Sequence, residues 1–284
     1  MHESHIIMLL AADIKRKKDL SGLDDEIIKK ELKGYFSKNK KSLSKLANYQ
    51  IEKQLRKSSE YEKAIKAVRA DMHNSFGIFQ IPKNSEEIKK EFLKKLKQRA
   101  LTEEDYEKAF SLHLSTKERF HYYPYIYEQI FKDAGKPAII LDLGCGLNPL
   151  SAKYMSLKKF RYIASDIDRK NLEFMQEFFN LSGIDGKTVV LDLQNESDIQ
   201  KLAFIDSDIC FMLKLLEIDK RLAEEIVSTV SAKSIIASFS TVSVSGQIMA
   251  SPEREWFEKM LSRLKYPFKV FKTENEIFYI IKKV

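Results

Sequence analysis

Cysteine, tryptophan, glycine and proline are all scarce in this chain of 284 residues. The two cysteines, Cys145 and Cys210, stand far apart and neither is part of a Cys-x-x-Cys pair. That excludes a disulfide framework and a cysteine-based zinc site, and it fits a reducing cytoplasm. Nine glycines and six prolines, beside 44% hydrophobic and 32% charged residues, exclude low-complexity disorder and leave a chain able to bury a core. Long apolar runs are also missing. The stretch Ile6 to Ala12 has no basic segment before it and is too short for a signal sequence or a spanning helix, so it reads as the core face of a first helix. The length points to two domains, or to one domain with a large appendage.

What is present is uneven. The net charge is +8, but residues 1–100 hold 24 basic against 14 acidic side chains, and residues 101–284 hold 25 against 27. The basic excess sits in runs such as Lys15 to Lys18, Lys38 to Lys41 and Lys89 to Lys97. A polyanion-binding module joined to a neutral domain has this distribution, and so do Lys-rich helices whose charge is merely solvated. Up to about residue 132 the apolar residues recur at helical spacing, as in Ile27, Ile28, Leu32 and Phe36 or Ile88, Phe92, Leu93 and Leu96. Breaks are expected at Ser21-Gly22, Gly34 to Asn39, Gly77 to Pro82 and Tyr123-Pro124, with acidic helix starts at Ser85 and Thr102. After Gly135-Lys136-Pro137 short apolar runs alternate with amphipathic segments. Ala138 to Leu143, Tyr162 to Ser165, Thr188 to Leu191, Asp208 to Leu213 and Ser234 to Phe239 predict strands of an α/β sheet, and Phe268 to Lys272 with Ile277 to Ile281 predicts a closing hairpin.

The segment Leu141-Asp142-Leu143-Gly144-Cys145-Gly146-Leu147-Asn148-Pro149 places two glycines at a strand end and a proline at the start of the next helix. A dinucleotide fingerprint would want Gly or Ala where Pro149 stands. Asp142 before the glycines argues for a ligand with a positive or neutral group there, in place of a pyrophosphate. S-adenosyl-L-methionine, with an ammonium and a sulfonium, is such a ligand. Asp166 and Asp192 end the next two strand-like runs, where one carboxylate can accept from ribose hydroxyls and the other from an adenine amino group.

Ser111-Leu112-His113-Leu114-Ser115-Thr116-Lys117-Glu118-Arg119, Asp142 to Leu150, Leu213-Lys214-Leu215-Leu216, Ser238-Phe239-Ser240-Thr241, Trp256-Phe257-Glu258 and Glu276 to Lys283 follow one another in an order that resembles the aminoglycoside-resistance 16S rRNA (guanine-N7) methyltransferases. The resemblance covers roughly residues 101 to 284. It implies a Rossmann-like class I methyltransferase sheet with a C-terminal antiparallel hairpin (111–284) behind an all-α basic domain (1–110) that docks on the 30S subunit. It further implies S-adenosyl-L-methionine as cofactor, 16S rRNA as partner, a cytoplasmic monomer and no membrane. Carried over by position, Arg119 would bind the methionine carboxylate, His113 and Ser115 would line the cofactor entrance, and Gly144 and Gly146 would form the cradle beside Asp142. Asp166 would hold the ribose, Asp192 the adenine end, and Lys214, Ser238 and Thr241 would face the target nucleotide. Trp256 and Phe257 read as core residues of an amphipathic helix.

The sequence departs from the family where Ser240 replaces a proline and Val242 to Met249 holds one glycine and no lysine, and Glu196 to Phe204 is longer than its counterpart. The altered loop leaves adenine-N1 methylation nearby as an alternative base choice. A non-catalytic RNA-binding protein of the same fold is the rival in another class, and the retained Asp142, Gly144, Gly146, Asp166 and Arg119 argue against it.

Overall fold

The computed structural model describes residues 1–16, 20, 22–76, 84–217, 220–242 and 253–283. The first helices among them are α1 (Glu3–Lys15), α2 (Asp25–Lys38), α3 (Lys40–Ala47), α4 (Glu52–Leu55) and α5 (Ser59–Phe76). Each exists because one apolar stripe finds a partner. Ile6, Leu10 and Ile14 of α1, Ile28, Leu32 and Phe36 of α2, Leu46 of α3 and Tyr61, Ala64 and Val68 of α5 are buried together with Leu55. Asp24 starts α2 by accepting the Glu26 N–H at 2.9 Å. The break expected from Gly34 onward narrows to Asn39, because α2 runs through Gly34, whose position faces open space. One helical glycine costs about 1 kcal/mol relative to alanine, and the buried stripe on either side of it outweighs that. These helices, with Asp168–Lys170, make one compact unit. Its buried acid, Asp13, has both carboxylate oxygens held by Arg56 at 2.7 Å, and the Tyr61 hydroxyl donates to one of them at 2.7 Å.

The second unit holds residues 84–167 and those from Asn171 on. The resemblance implies a domain boundary at 110/111; by their contacts α6 (Ser85–Lys97) and α7 (Glu103–Phe110) group with the later residues. Phe92 of α6 packs edge-on to Tyr106 and Phe174, and Lys95 donates to Asp105 at 2.6 Å. Thr102 and Asp105 form a reciprocal cap that starts α7 where the sequence leads one to expect it. Then follow α8 (Leu114–Arg119) and α9 (Tyr123–Ala134), with Pro124 in the first turn of α9.

The strands are β1 (Ile139–Leu143), β2 (Arg161–Asp166), β3 (Asp185–Val190), β4 (Ser207–Leu213), β5 (Ala232–Ser240), β6 (Phe268–Lys272) and β7 (Glu276–Lys282), within two or three residues of the sequence expectation. They form one sheet in the order β3-β2-β1-β4-β5-β7-β6, with β1 to β5 parallel and β7 antiparallel to both neighbours. Alternate residues feed two cores. Ile140, Tyr162, Phe211 and Phe278 point to the face covered by α6, α7, α9 and α10 (Arg169–Ser182); Leu141, Ile163, Met212 and Tyr279 point to the face covered by α11 (Glu196–Lys201), α12 (Lys220–Thr229) and α13 (Glu255–Arg263). Coverage on both faces explains why the strands read as continuous apolar runs. This is the Rossmann-like class I methyltransferase arrangement that the sequence implies. Phe257 is fully buried and Trp256 packs edge-on to Phe239, so both serve the core. Among the described residues no helix is long and apolar enough to cross a membrane.

Candidate active site

The strand order reverses at β1. The chain steps outward through β2 and β3, then returns to place β4 on the other side of β1. The crevice beyond the carboxyl ends of strands at such a point is where α/β sheets take ligands. Gly144 and Gly146 follow β1 there with φ of 62° and 49°, in the left-handed region that a Cβ makes costly. A Cβ on Gly144 would stand 2.8 Å from Leu215 Cδ1, and one on Gly146 would stand 3.0 Å from His113 Cε1. The next turn is a 3₁₀ helix over Asn148–Tyr154 with Pro149 in its first turn, a tighter start than the helix expected.

The structure brings most of the candidate cofactor residues together. Asp166, ending β2, accepts the Gly146 N–H at 2.8 Å and the Ile167 N–H at 2.7 Å, which ties the glycine turn to the second strand. His113 precedes α8 and approaches Ser115, with Nδ1 and Oγ 3.4 Å apart. Burial, with the charges of Arg119 and Lys89, pushes its imidazole down to about 4, so it is neutral at physiological pH. Asp192 lies two residues beyond β3; its carboxylate accepts the Gln194 N–H at 2.9 Å, and its own N–H donates to Asp198.

Asp142 is 1% exposed. Its Oδ2 accepts from the Tyr162 hydroxyl at 2.6 Å and from Asn148 Nδ2 at 2.9 Å, whereas the buried Oδ1 has no hydrogen-bond partner among the described residues. Burial pushes the carboxyl up to about 6, against the pull of those two donors. A half-satisfied buried carboxylate beside a glycine turn fits a ligand that brings a positive, hydrogen-bonding group. An ammonium or sulfonium compound such as S-adenosyl-L-methionine meets that need, and a pyrophosphate does not.

Arg119 is 3% exposed and meets a residue that sequence reasoning did not single out. Its Nε donates to Glu276 Oε2 at 2.8 Å and its Nη2 to Oε1 at 2.9 Å. Burial works against the guanidinium charge, but the Glu276 carboxylate prevails and raises its pKa above the ordinary value. Glu118, its neighbour in sequence, accepts from Lys214 Nζ at 2.5 Å. Lys214 itself lies just past β4 at a φ of 55°, a left-handed conformation held by its N–H donating to Ser238 Oγ and to the Ser238 carbonyl, each at 3.0 Å.

Two of the residues expected to face the target nucleotide are corrected by this geometry. Ser238 is fully buried and its hydroxyl donates to Glu276, and Thr241 is 6% exposed and donates to the Glu274 carbonyl at 3.1 Å. Parallel pairing of β4 with β5 brings Ser238 beside Leu213, which turns its side chain inward under the Lys214 turn. The altered loop lies outside the described residues from 243 to 249. Glu276 carried one available signal: a carboxylate opening the apolar run Ile277 to Ile281 needs a buried cation.

A family profile described as "Ribosomal RNA methyltransferase (FmrO)" matches residues 97–280, well over half of the chain. The chain belongs to this family. A 16S rRNA (guanine(1405)-N(7))-methyltransferase of Micromonospora echinospora is 30% identical over 183 residues, covering 62% of this chain and 65% of that protein. One of the same name from Proteus mirabilis is 29% identical over 187 residues, with 62% and 65% coverage. The chain thus spans just under two thirds of the length of these relatives. The solved 16S rRNA methyltransferase RmtF, in complex with S-adenosyl-L-homocysteine, superposes with a TM-score of 0.74 at 18% identity over 98% of both chains, a likeness of fold. The matched residues, 97–280, include the carboxyl ends of β1 and β4.

Proposed function

We propose that this family member methylates 16S rRNA in the 30S subunit at guanine N7 of the decoding site, with S-adenosyl-L-methionine as donor, giving or resembling aminoglycoside resistance. The enzyme works in the cytoplasm as a monomer, its basic helical unit docking on the subunit. The observation that carries the reading is the unpartnered Asp142 Oδ1 beside the Gly144 and Gly146 turn, a place built for a cationic cofactor tail. Asp142, Gly144, Gly146 and Arg119 would hold the amino-acid end, Asp166 the ribose and Asp192 the adenine, with His113 and Ser115 at the entrance.

When bound, the sulfonium supplies an electrophilic methyl group. Guanine N7 carries an in-plane lone pair and needs no base to remove a proton, so what the protein must provide is alignment. Lys214 suits that role, because it is already a hydrogen-bonded cation beside Glu118, placed to orient a phosphate or base edge and not to accept a proton. Ser238 holds the floor under it, accepting the Lys214 N–H. In the helical unit Lys33, Lys38, Lys40 and Lys41 are exposed, and such cations bind a nucleic-acid backbone with strong salt dependence. The base must be taken out of its stack, and backbone anchoring supports that distortion.

The test is incubation with labelled S-adenosyl-L-methionine and unmodified 30S subunits, followed by mapping of the modified position. Label at guanine N7 in the decoding site is the expected result. Label at adenine N1 would move the specificity, and no label from an enzyme that binds the cofactor would refute the substrate.

A further inference from the structure

Glu276 lies between the two halves of the site. Its carboxylate takes the bidentate grip of Arg119, accepts from the Ser238 hydroxyl, and stands 3.9 Å from Lys214 Nζ. Its side chain is 2% exposed, and its place is set by the sheet: β7 pairs with β5 in a register that puts Glu276 opposite Ser240 and diagonal to Ser238. On the other flank, Tyr123 lies against Arg119 and donates to Asn148 Oδ1 at 3.2 Å; Asn148 in turn donates to Asp142. Buried polar groups thus run from the acid under the glycine turn, past Tyr123, to Arg119 and Glu276, and hydrogen bonds carry on from Glu276 through Ser238 to the backbone of the Lys214 turn.

We propose that Glu276 is a positioning residue that presents the Arg119 guanidinium to the carboxylate of the cofactor and locks that presentation to the Lys214 strand end. This rests on the cofactor reading above. A guanidinium is a planar fork, and holding Nε and Nη2 fixes its plane and leaves Nη1 outside that grip for a ligand carboxylate. A rigid strand sets the angle more tightly than a loop can. The same carboxylate orients Ser238 Oγ, which accepts the Lys214 N–H, so a shift of Arg119 is passed to the residue expected to meet the target base.

The experiment compares calorimetric binding of S-adenosyl-L-homocysteine with that of 5′-methylthioadenosine, the same nucleoside without the amino-acid tail, in wild type, Glu276→Gln and Glu276→Asp. Misplacing one recognition group costs about 10- to 100-fold. Glu276→Gln should weaken S-adenosyl-L-homocysteine by about that factor and leave methylthioadenosine within about twofold, with Glu276→Asp between wild type and Gln. Equal weakening of both ligands, or tighter binding of S-adenosyl-L-homocysteine, would overturn the proposal. A wild type that binds neither ligand, or both alike, would instead sink the reading of Arg119 as the carboxylate site. If Glu276→Gln does not fold, Ser238→Ala removes one anchor of the same carboxylate and should show the same ligand-selective loss on a smaller scale; an unselective loss there counts against the proposal.

Discussion

The two units each bury an aspartate, and the two are built in opposite ways. In the helical unit, Asp13 has a cation and a phenol on its oxygens, Arg56 and Tyr61. In the α/β unit, Asp142 is more deeply buried, has only neutral donors on Oδ2, and leaves Oδ1 without a partner among the described residues. A buried carboxylate closed by its own protein organises a fold; one left half open calls for a partner from outside the protein, whether water, ion or ligand. The same contrast separates the conformations nearby. The glycine turn and Lys214 occupy left-handed backbone at the carboxyl ends of β1 and β4.

The comparison breaks most sharply with matched substitutions. Asp13→Asn should destabilise the helical unit by about 2–3 kcal/mol, since Arg56 loses its counter-charge, and leave affinity for S-adenosyl-L-homocysteine unchanged. Asp142→Asn should do the reverse, lowering that affinity by about 10- to 100-fold with a smaller change in melting temperature. If both variants lose stability alike and neither loses affinity, the distinction fails. Lys214→Ala sharpens it within the second unit: methylation of 30S subunits should fall at least about tenfold while cofactor affinity holds, and a loss of affinity would remove Lys214 from the target side. The helical unit has its own lesser signature. Replacing Lys38, Lys40 and Lys41 with Gln should raise KM for subunits several-fold and flatten its salt dependence, with cofactor binding intact.

The smallest effect is in the pH profile. Asp142, raised from its ordinary 3.8 to about 6, favours the protonated form when folded, so its contribution to stability is present below about pH 4 and is lost as pH rises through about 6. Thermal melts should therefore show Asp142→Asn gaining on wild type between those limits by on the order of 1–3 kcal/mol, and a constant difference would contradict the burial of an uncompensated charge.

Much of this was legible in the sequence because burial on both faces of a parallel sheet writes each strand as an apolar run, and glycines with strand-end acids mark a ligand turn. The helical period told less. It predicted α6 and α7 but not which core Phe92 and Tyr106 would join, since amphipathicity fixes a face and not its partner. Gly34 misled because a solvent-facing glycine weakens a helix without ending it. The role of Glu276 was hidden because its partner Arg119 lies 157 residues away, and only sheet pairing brings Ser238 under both. The resemblance puts Ser238 toward the target nucleotide, and its inward turn is a matter of register that the motif alone does not carry.

The most direct test of the central claim, that Asp142 awaits the cationic end of the cofactor, is proton release measured by titrating S-adenosyl-L-homocysteine at pH about 6 in buffers of different ionisation heat. Pairing with an ammonium lowers the pKa of a carboxyl, so wild type should release a fraction of a proton per ligand bound, and Asp142→Asn should release none. Binding with no proton release in wild type, or with equal release in both, would contradict the account.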